Sequence, residues 1–152
     1  MMRSPFPLAM LRRLGADRRA TSSLEFVIVA MPMLILSFGT FEFARAAWTS
    51  EALQATATQA ARCMGVLATD CSSGGAYSSS NTTSYVTSAA AGWAITVPGS
   101  GISLSRTASC AGVSGFSQVT ITYTFTSPLA ALLAGMTNGI PLQASSCFPT
   151  QA

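Results

Sequence analysis

The sequence contains no histidine and no lysine, and only five acidic residues. Without histidine it lacks the side chain most used for proton transfer near neutral pH and for soft metal coordination. Its many serines have neither a histidine nor a lysine to activate them, and Asp70 stands alone in a polar stretch. The glycine-rich stretch Gly112 to Gly115 carries no lysine, so it does not make a phosphate loop. No close Cys-x-x-Cys pair suggests structural zinc. An enzyme is therefore not expected, and neither is a cofactor or a metal.

Charge is scarce as well, and unevenly placed. All eight basic residues are arginine, and five of them (Arg3, Arg12, Arg13, Arg18 and Arg19) precede residue 20. Beyond Glu51 only Arg62, Asp70 and Arg106 are charged. Nucleic-acid binding needs a positive face on a folded body. Here the positive charge precedes the folded part, so no nucleic-acid partner is expected, and the cluster reads as an orientation signal at a membrane.

An apolar run after the arginines supports that reading. Phe26 to Phe41 is sixteen residues without a charge. Leu24 before it, and Phe43, Ala44, Ala46, Ala47 and Trp48 after it, extend the run to the ~20 residues that cross a hydrocarbon layer. The positive-inside rule then places residues 1–20 in the cytoplasm and the rest outside. The expected organisation is a cytoplasmic leader (1–20), a transmembrane helix in the inner membrane (21–48) and a periplasmic domain (49–152). Pro32 removes one helical hydrogen bond and favours a bend. Glu42 and Arg45, three apart, are placed to pair at the outer boundary. Glu25 is costly in lipid. It either sits at headgroup level beside Arg18 or Arg19, or meets a positive charge inside the membrane when subunits pack. A conventional signal peptide is the competing reading, with Ala44-Arg45-Ala46 as a small-x-small cut that releases a soluble binding module after Ala46.

Thr49 to Leu67 continues in helix formers, and Leu53, Ala57, Ala60, Met64 and Leu67 recur on one face. Asp70 to Tyr85 reads as a loop, and Val86 to Gly92 as a short helix or turn. Trp93, Ile95 and Val97, the turn Pro98 to Gly101, and Ile102 with Leu104 read as a hairpin. Val119 to Thr126 alternates apolar residues with threonine, the pattern of a strand with one face on a core. Leu129 to Met136 suits a short helix, and Ile140 to Phe148 an edge strand that tolerates Pro141. The predicted class is α+β: a long N-terminal helix, transmembrane in its first half, on a small, three- or four-stranded antiparallel sheet.

Cys63, Cys71, Cys110 and Cys147 all lie beyond the apolar run. An exported location permits disulfides, and four cysteines allow three connectivities. Cys63 with Cys71, closing the helix end onto its loop, and Cys110 with Cys147, tying the sheet region, are favoured.

Residues 18 to 26, RRATSSLEF, followed by the apolar run and by Phe41-Glu42-Phe43-Ala44-Arg45, resemble the TadE-like family. These are minor pseudopilins and related proteins of the tight-adherence (Flp) pilus machinery, which serves adhesion or secretion. Family members carry basic residues, a small residue, Glu-Phe, a hydrophobic helix and a Glu-Phe-Gly-Arg-like end. Ala44 stands where glycine is frequent. The resemblance implies cleavage by a prepilin peptidase between Ala20 and Thr21, with Ala20 in place of the usual glycine. Glu25 and Phe26 then become the fifth and sixth mature residues, available for assembly. Expected partners are the inner membrane, the prepilin peptidase, other pilin or pseudopilin subunits and the assembly platform. An uncleaved, membrane-anchored accessory of the same machinery is the alternative.

Overall fold

In a computed structural model, residues 18–127 and 139–151 are described, with side chains from residue 22 onward. The leader before Arg18 and the short helix expected over Leu129 to Met136 lie outside the described residues. Helix α1 runs Arg18–Gly65, through Pro32. A single 3-10 turn, Thr69–Cys71, leads to the two-residue strands β1 (Ser72–Ser73) and β2 (Ala76–Tyr77). Helix α2 (Ser79–Gly92) comes next, and then strands β3 (Ile102–Cys110), β4 (Val113–Phe125) and β5 (Ile140–Pro149). Strands β3-β4-β5 form an antiparallel sheet in that order, and β1 pairs with β2 separately. The class is therefore α+β, a long N-terminal helix on small antiparallel sheets. The chain divides into two compact units between Phe41 and Glu42.

In the second unit, the helix stripe read from the sequence is the core face. Leu53, Ala57, Ala60 and Met64 are buried, as their spacing of four, three and four residues requires. Leu67 departs from the stripe. The helix ends at Gly65, and Leu67 adopts a left-handed backbone (φ 54) while the Ala68 N–H donates to the Cys63 carbonyl at 3.0 Å. That bond satisfies one of the carbonyls left open at a helix end. Val119 and Ile121 of β4, Val86 and Ala90 of α2, and Ala144 of β5 complete the core. Each large apolar side chain buried there contributes about 1.5–3 kcal/mol. Two buried threonines cost little, because Thr56 donates to the Ala52 carbonyl (2.8 Å) and Thr82 to that of Ser78 (2.8 Å).

Three segments differ from the sequence reading. Ser79 to Tyr85 is helical rather than loop, because Ser78 caps α2 by accepting from the Asn81 N–H at 3.3 Å. Thr82 and Thr83 turn their hydroxyls onto the carbonyls four residues back instead of competing with the helix. Ser72 to Tyr77 is a minimal hairpin around Gly74 and Gly75, both at positive φ (59 and 80), the conformation that tight hairpin turns demand. Trp93 to Val97 is not a strand. Ala94 turns the chain out of α2 at φ 60, and Ile95 and Val97 are buried from an irregular segment. Strand β3 pairs instead with β4, which at thirteen residues is longer than its apolar alternation indicated. Strand β5 is an edge, where Pro141 leaves no interior ladder unmade.

Candidate assembly and membrane-anchoring site

From Leu24 to Phe43 the helix buries none of its large side chains; Phe26 is 72% exposed and Phe43 76%. A window within Ser22–Gly65 is long and apolar enough to cross a membrane, and none of that window is buried against the rest of the chain. Twenty helical residues rise about 30 Å, the thickness of the hydrocarbon layer. Glu25 and Phe26 stand exposed at the beginning of this stretch. The bond between Ala20 and Thr21 falls within the first turns of α1.

At the other end of the run, in the second unit, Arg45 Nη1 donates to Glu42 Oε1 at 2.8 Å. The same guanidinium lies 5.5 Å from the centre of the Phe125 ring, at the end of β4. A charge over a ring face is worth about 0.5–1 kcal/mol at an exposed position. The helix-end motif Glu42-Phe43-Ala44-Arg45 therefore does a local job, with Glu42 orienting Arg45 and Arg45 covering the sheet end, while Phe43 points to the surroundings.

Two disulfides join the cysteines, Cys63 to Cys71 and Cys110 to Cys147. The first fastens the end of α1 to the 3-10 turn, and the second fastens the end of β3 to β5. Among the described residues no group of three or more histidine, cysteine or acidic side chains stands close enough to hold a metal.

Two further relationships were not visible in the sequence. Trp48 of α1 and Trp93, at the end of α2, meet edge to face with ring centres 5.7 Å apart. Arg106 lies over the Tyr77 ring at 5.5 Å. Burial raises the Tyr77 phenol above its ordinary range, although a hydrogen bond with Thr82 and the charge of Arg106 oppose the shift. Both pairs join residues far apart in the chain, which no periodicity connects.

The described residues define a class: one candidate membrane helix, bare along its first half, leading into a small disulfide-linked α+β domain. The sequence profile of the family described as TadE-like protein matches residues 20–62, the segment that holds Glu25, the apolar run and the Glu42 to Arg45 motif. The resemblance to that family, a family associated with tight-adherence pili, holds over this segment. No curated protein and no solved structure matches the chain.

Proposed function

We propose that the protein is a minor pseudopilin of a tight-adherence pilus or a related secretion machine, assembled through its N-terminal helix after cleavage between Ala20 and Thr21. The observation that carries this reading is the uncovered apolar stretch from Leu24 to Phe43, headed by Glu25 and lying within the segment that matches the TadE-like family. Its hydrophobic side chains need a cover, and lipid followed by neighbouring helices supplies one. Cleavage removes the arginine-rich leader and frees the Thr21 amine, a cation at neutral pH. In a low dielectric that amine pairs with Glu25 of its own chain or of a neighbour. The domain from residue 49 onward lies in the periplasm, where its disulfides are stable.

Sequencing the N-terminus of the membrane-extracted native protein tests the reading. A start at Thr21 is expected. A start at Met1 or Met2 points to an uncleaved accessory of the same machinery, and a start at Ala47 to an exported protein that has lost its helix.

A further inference from the structure

The second unit exposes five large apolar side chains among its described residues: Phe43, Trp48, Trp93, Val113 and Ile140. Four of them cluster at one end. Trp48 lies one turn beyond Arg45 on α1, and Arg45 covers Phe125. Ile140 is the register partner of Phe125 across β4 and β5. Trp93 is brought to Trp48 by the end of α2. Val113 alone sits at the opposite end of β4, beside the β3-β4 turn.

The two indoles are 60% and 39% exposed. With Glu51, Ala52 and Ala55 they line a cleft of about 240 Å³. Rings this exposed lose apolar stabilisation in water, so they call for a cover. Tryptophan combines an apolar body with an N–H donor and is favoured where hydrocarbon meets headgroups.

We propose that this end of the domain is seated in the headgroup layer of the membrane that the helix crosses, with Trp48 and Trp93 as its anchors. The proposal rests on the membrane reading given above. Continuity selects lipid as the occupant. Trp48 lies five positions beyond Phe43, the last residue of the exposed apolar stretch. Five helical residues rise about 7.5 Å. The headgroup layer beyond the hydrocarbon is about 5–8 Å deep on each side. Trp48 therefore falls at or near that layer, and Trp93 is held against it. Seating Trp93 fixes the domain to the bilayer through a second element, independent of the helix.

The protein has two tryptophans, so its indole emission reports on this corner alone. The full chain is reconstituted in phosphatidylethanolamine and phosphatidylglycerol vesicles containing lipid brominated near the top of the acyl chain. In Trp48→Phe the remaining emission is that of Trp93, and in Trp93→Phe that of Trp48. Brominated lipid is expected to reduce the Trp93 signal to about half, as at an interfacial aromatic belt. Protein that floats with the vesicles but keeps an unquenched Trp93 overturns the seat and leaves the membrane helix standing. Unquenched Trp93 that becomes shielded from iodide only at high protein-to-lipid ratio overturns it in favour of a second copy. Protein that fails to float overturns the membrane reading and the seat together.

Discussion

A Cβ atom placed on Gly65 would lie 2.6 Å from Cδ1 of Phe148 and 2.9 Å from the Pro149 carbonyl oxygen. The last residue of α1 is thus pressed against the end of β5, and the Gln151 N–H seals the junction by donating to the Gly65 carbonyl at 3.0 Å. The approach comes beside Cys63, whose disulfide fastens the same helix end. Helix, edge strand and loop are joined at one point where no side chain fits.

Gly65→Ala is therefore expected to destabilise the domain. Alanine improves helix propensity by up to about 1 kcal/mol, but overpacking against a backbone oxygen costs about 1–3 kcal/mol. The net loss lowers the melting temperature by about 4–8 °C for each kcal/mol in a domain of this size. Gly92→Ala is the control. Apart from its chain neighbours and the backbone of its own helix, no atom lies within 4 Å of a Cβ there, and its thermal unfolding should be unchanged or shifted slightly upward.

The two disulfides should contribute unequally. Cys110–Cys147 spans 37 residues and Cys63–Cys71 only 8. Loop-closure entropy assigns about 4 kcal/mol to the longer and about 2.5 to the shorter. Replacing each pair by alanine and following denaturant unfolding checks the order. Equal losses would show that packing of the buried Cys71, rather than chain entropy, sets the effect of the shorter bridge.

The helix stripe of Leu53, Ala57, Ala60 and Met64, and the alternation of Val119, Ile121 and Phe125, were legible because burial imposes a period on a regular element. Ser79 to Tyr85 was not. A run of serine, asparagine and threonine reads as loop until its first hydroxyl is known to cap and the others to bond inward. Trp93 to Val97 misled for the converse reason. Alternating apolar residues suggested a strand, but Ala94 at φ 60 breaks the extended path, and burial of Ile95 and Val97 needs no ladder. Of the candidate site, the Glu42–Arg45 pair could be read from local spacing. Trp48 with Trp93 could not, because tertiary packing alone brings them together.

Tyr77 should make the stability of the domain fall at alkaline pH. Its folded-state phenol is raised, chiefly by burial, so the neutral form is preferred in the folded protein. The stability linked to this group is fully present below the ordinary tyrosine value of about 10 and is lost as pH rises through the higher folded value. Thermal unfolding measured from pH 9 upward, at points spaced by about half a unit around that value, should show this loss. Tyr77→Phe should flatten the decline, and an identical decline in the variant would assign it to other groups.

If the proposed function holds, substitutions at Glu25 should separate insertion from assembly. As one carboxylate at the start of a long apolar helix, it should contribute little to membrane insertion, for which the exposed apolar stretch from Leu24 to Phe43 offers the ~20 residues that a span needs. On the proposed function, it would serve in the filament as the counter-ion of the freed Thr21 amine. Glu25→Ala should leave the amount of membrane-bound protein and the cleavage at Thr21 unchanged while sharply reducing incorporation into sheared filaments. Glu25→Gln should fail in the same way, since an amide keeps the shape without the charge, whereas Glu25→Asp should recover part of the loss. Quantitative immunoblotting of membrane and filament fractions reads both steps at once. Incorporation of Glu25→Ala at the wild-type level would remove the charge pair from the mechanism and leave helix packing alone to hold the subunit.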